Sequence, residues 1–319
     1  MPVEDLDTIT VASLVLNYGR ADLAARAVES LLGSTLSSHR VLLADNGSPD
    51  QACCRDHARR LGVEMMAIPE NLGFAEGMNR AVAVAEAHWR PEFLFLLNSD
   101  ARVEPATLDL LVNAARETGA AFVAPLVLLD ETHHDGVQGL DARHREPKIW
   151  AAGGEFRRFR GSNWAAGESD RGQFSRREKV SFLSGCALLT RVDAFRALHG
   201  FDERFFLYQE DVDLCLRARA QDLVLLFEPA ARVFHVGSAS SGDAMAPLQS
   251  FFRWRNRLLL LGKHLRGAER LFFFSLYFPA LAARDVVRYV LHGRVRSLVP
   301  LCAGLWDWLR GARRPWKPR

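Results

Sequence analysis

The residues in this sequence best suited to chemistry are carboxylates and a histidine that follow apolar segments. Asn98-Ser99-Asp100 comes directly after five large apolar residues, 93–97, so we expect Asp100 at the end of a buried strand. Mg²⁺ and Mn²⁺ prefer oxygen ligands, typically one or two carboxylates together with the phosphates of a substrate. Asp100 is therefore a candidate metal ligand, and the alternative interpretation is a turn residue or a helix cap.

A second group of carboxylates, Glu210, Asp211 and Asp213, follows the aromatic segment 205–208. The helix dipole favours acidic side chains in the first turn of a helix, so capping is one interpretation. The other is a general base, because a carboxylate within hydrogen-bond reach of a hydroxyl can take its proton. Apolar neighbours would raise the pKa of such a carboxylate towards the working range. The residue types alone leave both interpretations open.

His235 ends an apolar segment and precedes a small, flexible sequence, Gly237-Ser238-Ala239-Ser240-Ser241-Gly242. A lone histidine is more often structural than a ligand, but a Gly/Ser loop suits a site that closes over a ligand. His235 can complete a metal site with Asp100 and a diphosphate. The pair His133-His134 lacks a matching ligand spacing and is expected in a solvated loop.

The elements that must position these residues are predicted from an alternation in the first 130 residues. Apolar, β-rich segments alternate with helical segments, which predicts a mostly parallel sheet with helices on both faces. Ligands bind outside the carboxyl ends of such strands, and the first four predicted strands each lead into a polar cluster there. One such cluster is ordinary turn chemistry, but four at one edge indicate a site. The predicted strands are Ile9–Leu16, Val41–Ala44, Val63–Ile68, Phe93–Leu97 and Ala121–Leu129, and the helices are Asp22–Leu32, Gln51–Leu61, Ala75–His88 and Pro105–Thr118.

The remainder of the chain divides into three parts. Residues 130–179 are polar with weak periodicity, which is typical of a functional insert or a mobile loop. Ordered elements then resume, and the domain prediction is a catalytic domain over 1–250 followed by a helical segment over 251–319. The elements predicted after the insert are a strand over Val180–Leu189, helices over Val192–Leu198 and Asp213–Ala220, and strands over Leu223–Phe227 and Arg232–Val236.

The charge of the chain is distributed unevenly between these domains. The net charge is only +3, but residues 251–319 carry fifteen Lys and Arg against three Asp and Glu, while residues 1–250 sum to −9. The same 69 residues hold 12 of the 31 aromatic side chains. Basic, aromatic-rich amphipathic helices bind anionic membrane surfaces. Packing on the catalytic domain or on a second subunit is the alternative, and nucleic acid is not expected because no binding motif accompanies the charge.

Several protein classes are excluded by what the sequence lacks. With 49% hydrophobic and 25% charged residues, it is neither collagen-like nor wholly disordered. No GxGxxG, GxxxxGK[ST] or GxSxG motif occurs, which disfavours dehydrogenases, P-loop proteins and α/β-hydrolases. The longest nearly apolar run, Leu271–Ala283, has 13 residues, whereas a spanning helix needs about 20. The acidic N-terminus does not resemble a secretory signal, and five cysteines without a CxxC pair fit a reducing compartment, so we expect a cytoplasmic protein. The basic, aromatic segment 251–319 adds the expectation that it is peripheral on the inner face of the plasma membrane.

The order of the motifs resembles the family 2 glycosyltransferases with the GT-A fold, and within them the bacterial rhamnosyltransferase-like branch. The resemblance covers about residues 9–262, and the ordered set is far more specific than any one motif. The motifs are Asn17-Tyr18, Asp45-Asn46-Gly47-Ser48-x-Asp50, Asn71-x-Gly73-Phe74-x-x-Gly77-x-Asn79, Asn98-x-Asp100, Ser184-Gly185-Cys186, Gly200-Phe201-Asp202-Glu203, Phe205-Phe206-x-Tyr208, Glu210-Asp211-x-Asp213, His235 and Arg255-Asn256.

The resemblance implies a role for each matching position. Asp45 corresponds to the residue that recognises the nucleotide base, and Asp211 to the catalytic base, with Glu210 as its close alternative. Asp100 and His235 correspond to the metal ligands, for Mg²⁺ or Mn²⁺, and the family's first acid is the amide Asn98 here. The nucleotide-sugar-binding residues that the resemblance implies are Asn17, Asp45, Asn46, Asn71, Gly73, Asn79, Asn98 and Asp100.

The activity implied is an inverting, metal-dependent transfer of a sugar, L-rhamnose in the named branch, from a nucleotide diphosphate donor. The acceptor implied is a hydroxyl of a glycan or of a polyprenyl-linked saccharide in the synthesis of cell-envelope polysaccharide, and the insert over residues 130–179 is expected on the acceptor side. Two alternatives remain open from the residues, a nucleotidyltransferase and a non-catalytic nucleotide-sugar-binding scaffold. An oligomer is also left open.

Overall fold

The computed structural model describes residues 9–130, 146–157, 159–236 and 247–311, which form two compact units. Unit 1 contains Met1–Asp202 and Asp211–Gly237, and unit 2 contains Glu203–Glu210 and Ser238–Arg319. His133-His134, the Gly/Ser loop that begins at Gly237 and the basic tail after residue 311 lie outside the described residues.

Unit 1 is built around one sheet of ten strands with the order β10-β12-β6-β11-β4-β1-β2-β3, in which β5 pairs with β12 and β7 pairs with β6. A separate hairpin consists of β8 and β9. The strands are β1 Val11–Asn17, β2 His39–Asn46, β3 Glu64–Ile68, β4 Phe93–Asn98, β5 Ala101–Val103, β6 Phe122–Leu129, β7 Ile149–Ala151, β8 Gly154–Arg157, β9 Arg160–Asn163, β10 Glu178–Lys179, β11 Ala187–Arg191 and β12 Leu225–His235.

Six strands of this sheet, β1, β2, β3, β4, β6 and β12, run in the same direction. Their carboxyl ends therefore lie along one edge of the sheet, and β5, β7, β10 and β11 run the opposite way. The prediction of a mixed α/β fold with a mostly parallel central sheet is confirmed. The helices of unit 1 are α1 Ala21–Leu32, α2 Gln51–Leu61, α3 Gly73–Trp89, α4 Thr107–Thr118, α5 Val192–Ala197 and α6 Glu210–Arg219, of which only the first residue of α6 belongs to unit 2.

The strands and helices follow from local sequence rules. The five apolar residues of β4 are at most 2% exposed, and each contributes roughly 1.5–3 kcal/mol through burial. Asp50 caps α2 by accepting a hydrogen bond from the Cys53 N–H. The helix ends at Gly62, whose φ of 67° lies in the left-handed region that favours glycine.

The predicted strand over Val180–Leu189 is wrong over residues 180–186, because the observed strand β11 begins only at Ala187. The N–H groups of Ser181 and Phe182 both donate to the Gly154 carbonyl oxygen instead of to a strand of the main sheet. Apolar composition signalled burial here, but these bonds to a neighbouring hairpin take the segment out of the ladder.

The two predicted strands Leu223–Phe227 and Arg232–Val236 form one strand, β12. Its pairing with β6 shifts register between Glu228 and Arg232. Pro229 lacks an N–H for the ladder, and the irregularity accommodates it without ending the strand.

The segment 130–179, expected to be an irregular insert, in part joins the sheet. β7 pairs antiparallel with β6, and β10 pairs with β12. The periodicity was weak because the four strands here have only two to four residues each.

The described residues of unit 2 form helices and turns. Its helices are α7 Pro247–His264, α8 Gly267–Phe272, α9 Phe278–Leu291 and α10 Leu298–Leu309, with a π-helical turn Phe273–Tyr277 and 3-10 turns Glu203–Phe205 and Val295–Ser297. α10 packs closely on α7, since a Cβ on Gly304 would lie only 2.1 Å from the Phe251 carbonyl oxygen. Among the helices that the structure describes, none is long and apolar enough to cross a bilayer.

Candidate functional site

Most of the polar residues singled out from the sequence lie along the edge where the six parallel strands end. Asn17 ends β1, Asn46 ends β2, Asn98 ends β4 and His235 ends β12. Asp45 pairs with Asn17 in the register of β1 and β2, so those two side chains are neighbours. The parallel topology therefore collects residues that are up to 218 positions apart in the sequence at one edge of unit 1.

Asp45 is the centre of a buried polar cluster with Asn17 and Ser48. Its Oδ1 accepts from Asn17 Nδ2 at 2.9 Å and from Ser48 Oγ at 2.5 Å, and its Oδ2 accepts from the Ser48 N–H at 3.1 Å. Asp45 and Asn17 are fully buried. Ser48 Oγ also accepts from the Gly19 N–H at 2.8 Å, which ties the loop after β1 to the loop after β2.

A second cluster joins the end of β2 to the start of α3. Asn46 Nδ2 donates to Asn71 Oδ1 and to the Gly73 carbonyl oxygen, and Asn46 Oδ1 accepts from the Leu72 N–H. Gly47 is required beside it, because its φ is 74° and a Cβ would lie 2.3 Å from the Glu70 carbonyl carbon. Three of the predicted nucleotide-binding residues, Asn46, Asn71 and Gly73, are therefore in direct contact.

Asn79, also predicted to bind the nucleotide sugar, contacts a different part of the chain. Its Nδ2 donates to the Phe201 carbonyl oxygen and its Oδ1 accepts from the Phe201 N–H, both at 2.9 Å. The amide thereby imitates a backbone partner and holds the segment after α5 against α3. The role of Asn79 in donor binding stays a prediction.

Asp100 and His235, the predicted metal ligands, meet although 135 residues separate them. His235 Nε2 lies 3.0 Å from Asp100 Oδ1, and both residues are about 5% exposed. β5 carries Ala101 opposite His235, and this antiparallel pairing fixes the approach. The indole of Trp150 packs edge-on against the imidazole, with ring centroids 4.7 Å apart.

The donor atoms of this pair fit a divalent cation. Neighbouring ligands of an octahedral ion with bonds of about 2.1 Å lie about 3 Å apart, which is the observed separation of Asp100 Oδ1 and His235 Nε2. The buried His235 Nδ1 has no hydrogen-bond partner within the described residues, so the ring is held by packing and by Asp100 alone. A metal held here would take its remaining ligands from a bound diphosphate or from water.

Asp211 approaches the same edge from α6. Its Oδ2 accepts from the Gly185 N–H at 3.1 Å and its Oδ1 from the Val212 N–H at 2.8 Å. The neighbouring Cys186 carbonyl oxygen accepts from the Asn98 N–H at 2.9 Å, which connects the turn that contacts Asp211 to the end of β4. Burial raises the pKa of the Asp211 carboxyl above its usual value, and the hydrogen bonds from Gly185 and Val212 oppose that rise.

The other two carboxylates of this group have different surroundings. Asp213 is fully buried and forms an ion pair with Arg217 at 2.7 Å, and Arg217 also donates to two carbonyl oxygens of residues 198 and 200. Asp213 therefore stabilises α6. Glu210, the first residue of α6, is 7% exposed and belongs to unit 2.

Ser48, Trp150 and Gly185 were not predicted individually as site residues. Ser48 and Gly185 lie within two of the family motifs, but their contacts with Asp45 and Asp211 depend on loop geometry, which the motifs do not specify. Trp150 lies in the polar segment whose short strands gave no periodic signal. One further group in the described part of the chain, Asp22 on α1 with Cys53 and His57 on α2, has candidate ligand atoms that lie within 4.8 Å of one another.

Comparison with known proteins gives consistent matches. The model of the family described as glycosyl transferase family 2 matches residues 14–198. The chain is 31% identical over 243 residues, 72% of its own length and 76% of the relative, to an N-acetylglucosaminyl-diphospho-decaprenol L-rhamnosyltransferase of Mycobacterium tuberculosis. It is 30% identical over 242 residues to the O-antigen biosynthesis protein RfbC of Myxococcus xanthus, covering 73% of this chain and 18% of RfbC.

A solved structure shows the same fold at low identity. A crystal structure of GalNAc-T7 with UDP, GalNAc and Mn²⁺ matches with a TM-score of 0.58 and 14% identity. The match covers 82% of this chain and 48% of that protein. The likeness confirms the predicted GT-A fold.

Proposed function

The chain belongs to glycosyl transferase family 2, and we propose that it transfers a sugar from a nucleotide diphosphate donor to a hydroxyl group with inversion at the anomeric carbon. The observation that carries the proposal is the convergence of three features of unit 1 at one strand edge. These are the Asp45 cluster, the Asp100–His235 pair and Asp211, held beside the end of β4.

Each feature supplies one requirement of such a transfer. Asp45, held by Asn17 and Ser48, presents a buried carboxylate for recognition of the nucleotide base. Asp211 accepts the proton of the acceptor hydroxyl, because its raised pKa makes it a stronger base than an ordinary aspartate. The two backbone N–H groups that hold its oxygens orient it for that transfer.

Asp100 and His235 would hold a divalent cation, Mg²⁺ or Mn²⁺. When bound, such an ion stabilises the negative charge that develops on the departing diphosphate. Trp150 packs against His235 and shields one side of the pair, which keeps the imidazole in place for ligation.

The relatives support a donor and an acceptor class. The mycobacterial relative is named for L-rhamnose transfer to a diphospho-decaprenol-linked sugar. We propose a deoxyhexose such as L-rhamnose on dTDP as the donor, and a polyprenyl-diphosphate-linked saccharide as the acceptor, in cell-envelope polysaccharide synthesis. A lipid-linked acceptor requires the enzyme to work at a membrane surface.

Unit 2 carries a surface that suits this location. Of thirteen large hydrophobic side chains that are exposed in the described residues, eleven lie between Leu271 and Leu309. On α9 the exposed apolar residues lie on one face, because residues four apart in a helix are neighbours and the positions are Val286 with Val290 and Val287 with Leu291. We call these eleven residues the apolar face: Leu271, Phe272, Leu276, Val286, Val287, Val290, Leu291, Val295, Val299, Trp306 and Leu309.

Between residues 270 and 306, the exposed charged side chains are all basic. Asp285 is the only carboxylate between residues 270 and 306, and its side chain is 1% exposed. Burial alone would raise the pKa of Asp285, but its contacts with Arg284 and Arg253 hold the pKa below the usual value. Four arginines remain exposed here, at positions 284, 288, 294 and 296. We therefore propose that unit 2 binds the anionic cytoplasmic leaflet peripherally.

The experiment that tests the transferase is a donor screen with the purified chain. dTDP-, UDP- and GDP-sugars are incubated with and without Mn²⁺ or Mg²⁺, and release of nucleoside diphosphate is measured. We expect one donor class to be hydrolysed with metal, and Asp100→Ala to lose metal-dependent donor binding by calorimetry. Equal donor affinity with and without metal would contradict the metal assignment.

The same screen separates the alternatives. Release of pyrophosphate from a nucleoside triphosphate would indicate a nucleotidyltransferase. Donor binding without any turnover in the presence of acceptor would indicate a binding scaffold. Either result would refute the proposed transfer.

A further inference from the structure

The segment Glu203–Glu210 of unit 2 has an unusual backbone and leads directly into Asp211. Phe206, Tyr208 and Gln209 have φ values of 59°, 69° and 74°. Residues other than glycine rarely have φ values in this left-handed region, and a segment with three such residues needs neighbours that impose the conformation. Residues 203–209 belong to no strand, so carbonyl groups of this segment need hydrogen-bond donors from elsewhere.

Asn256 on α7 supplies those donors. Its side chain is fully buried, and its Nδ2 lies 2.9, 2.7 and 2.8 Å from the carbonyl oxygens of Phe205, Leu207 and Tyr208. An amide nitrogen has two hydrogens, so three acceptors share them. This one side chain therefore contacts the backbone of three residues of the segment.

Arg255 sets the orientation of the Asn256 amide. Its Nη1 donates to Asn256 Oδ1 at 2.7 Å and to the Arg204 carbonyl oxygen at 2.9 Å. Its Nε donates to Asp307 of α10 at 2.6 Å, so the guanidinium is itself fixed. With Oδ1 directed at the guanidinium, Nδ2 is left to face the three carbonyl groups.

Aromatic packing adds a third contact between α7 and the same segment. The ring of Phe206 stacks on that of Phe252, with centroids 5.5 Å apart and an interplanar angle of 12°. Phe252 is 1% exposed and lies one helical turn before Asn256. α7 thus fixes both the side chain and the backbone of a segment with unfavourable φ values.

We propose that Arg255 and Asn256 are positioning residues for catalysis, which hold the segment 203–210 so that the peptide entering Asp211 has one conformation. The inference rests on the proposed function in that Asp211 is taken as the base. A carboxylate that takes a proton in the transition state must stay within hydrogen-bond reach of the hydroxyl, so mobility of the preceding backbone lowers kcat. We expect donor binding at the Asp45 cluster to be unaffected, because the hydrogen bonds that hold that cluster involve no residue of 203–210.

The test compares Asn256→Asp with a matched control, Tyr289→Phe. Asn256→Asp keeps the shape but places an oxygen against three carbonyl oxygens. Tyr289→Phe removes a different buried hydrogen bond of α7, that between Tyr289 and Ser250 at 2.8 Å. Arg255→Lys serves as a milder variant, because it keeps the charge opposite Asp307 but loses the planar guanidinium that donates in several fixed directions. Hydrogen–deuterium exchange and steady-state kinetics are measured on the full chain.

We expect amide exchange over residues 204–211 to be at least tenfold faster in Asn256→Asp and unchanged there in Tyr289→Phe. With dTDP-L-rhamnose, or the nucleotide sugar that the parent chain hydrolyses fastest, kcat should fall at least tenfold while the donor KM stays within twofold. Arg255→Lys should show the same pattern with smaller changes.

Two results would overturn the proposal. Unchanged exchange over 204–211 in Asn256→Asp would show that the amide does not hold the segment. Faster exchange with unchanged kcat would show that the hydrogen bonds from Asn256 to this segment have no role in catalysis. If the parent chain turns over no donor, the proposed function fails, and the exchange measurement still decides whether Asn256 holds the segment.

Discussion

At the scale of single residues, Asp211 combines burial with two backbone hydrogen bonds, and these act on its pKa in opposite directions. Burial is the larger influence and raises the pKa, while the N–H groups of Gly185 and Val212 favour the ionised form. The pKa of the Asp211 carboxyl is higher in the folded protein than in the unfolded chain. Its contribution to the free energy of unfolding is therefore fully present below the pKa of the unfolded chain, and it is lost as the pH rises through the pKa of the folded protein. A base, by contrast, works only above that value.

We therefore predict that Asp211→Asn lowers kcat at least 100-fold, within the range typical of a lost general base. In the parent chain the rate should rise with pH through the raised pKa of Asp211, and this acid limb should disappear from the residual activity of the variant. The measurement is a pH–rate profile for donor turnover in the presence of acceptor.

Asp193→Asn is a suitable control for that experiment. Asp193 is an exposed carboxylate on α5 whose pKa is lowered by its hydrogen bond with Arg191. Its neutralisation should leave the profile unchanged. Full activity in Asp211→Asn would assign the proton transfer to another group, with Glu210 as the next candidate.

At the scale of elements, the packing of α10 on α7 determines the geometry of unit 2. Gly304 allows the two helices to approach, and Asp307, one turn later on α10, reaches Arg255 on α7. Both partners of this ion pair are largely buried, at 3% and 17% side-chain exposure. The close approach and the ion pair thus depend on the absence of a side chain at one position.

We predict that Gly304→Ala destabilises the protein, because its Cβ would lie 2.1 Å from the Phe251 carbonyl oxygen and 3.0 Å from its carbon. Backbone atoms cannot rotate away, so the helices must separate, and overpacking of this kind costs about 1–3 kcal/mol. Thermal and urea unfolding of the full chain measure the loss.

Gly262→Ala is the matched control for this substitution. Gly262 lies in α7, and a Cβ there would meet only Phe274 Cζ at 3.8 Å, an ordinary contact. Alanine is favoured over glycine in a helix by roughly 1 kcal/mol, so this variant should be as stable as the parent or more so. Equal stability of the two variants would contradict the packing argument.

At the scale of the whole molecule, the proposed chemistry and the proposed membrane attachment belong to different compact units. The proposed donor and metal residues lie in unit 1, and the apolar face with its exposed arginines lies in unit 2. The net charge of −9 over residues 1–250 and +12 over 251–319 reflects this division. Near an anionic surface each basic residue contributes about 1 kcal/mol, while apolar side chains insert into the interface.

We predict that the full chain co-sediments with vesicles that contain about 30% phosphatidylglycerol, and that it binds much less to vesicles of pure phosphatidylcholine. Val287→Glu combined with Leu291→Glu should weaken binding at least tenfold, because both side chains lie on the exposed face of α9 and are 56% and 79% exposed. Vesicle co-sedimentation at low and high salt measures the effect.

Leu32→Glu is the control, since Leu32 is 48% exposed but lies at the end of α1 in unit 1. It should bind vesicles like the parent. Equal loss in the control would indicate a non-specific charge effect. If the α9 variant instead converts a dimer to a monomer in sedimentation velocity, the apolar face is an interface between two copies.

Much of this protein was determined by its sequence alone. The alternation of buried strands and amphipathic helices predicts the parallel sheet, because strands covered on both faces must be apolar throughout. The bounds of α2, Gln51–Leu61, were predicted to the residue because Asp50 and Gly62 mark its ends. The order of motifs likewise identified the family, since each polar cluster follows its strand at a fixed place in the chain.

Only the tertiary structure decided which of these residues meet. Asp100 reaches His235 because β5 turns back along β12, and Asp211 reaches Gly185 because the expected strand at 180–186 leaves the sheet. The contacts of Asn256 with residues 205–208 depend on backbone angles that no residue type signals. Local sequence determines elements through short-range sterics and burial, whereas these contacts join residues 26 to 135 positions apart and depend on how the elements pack.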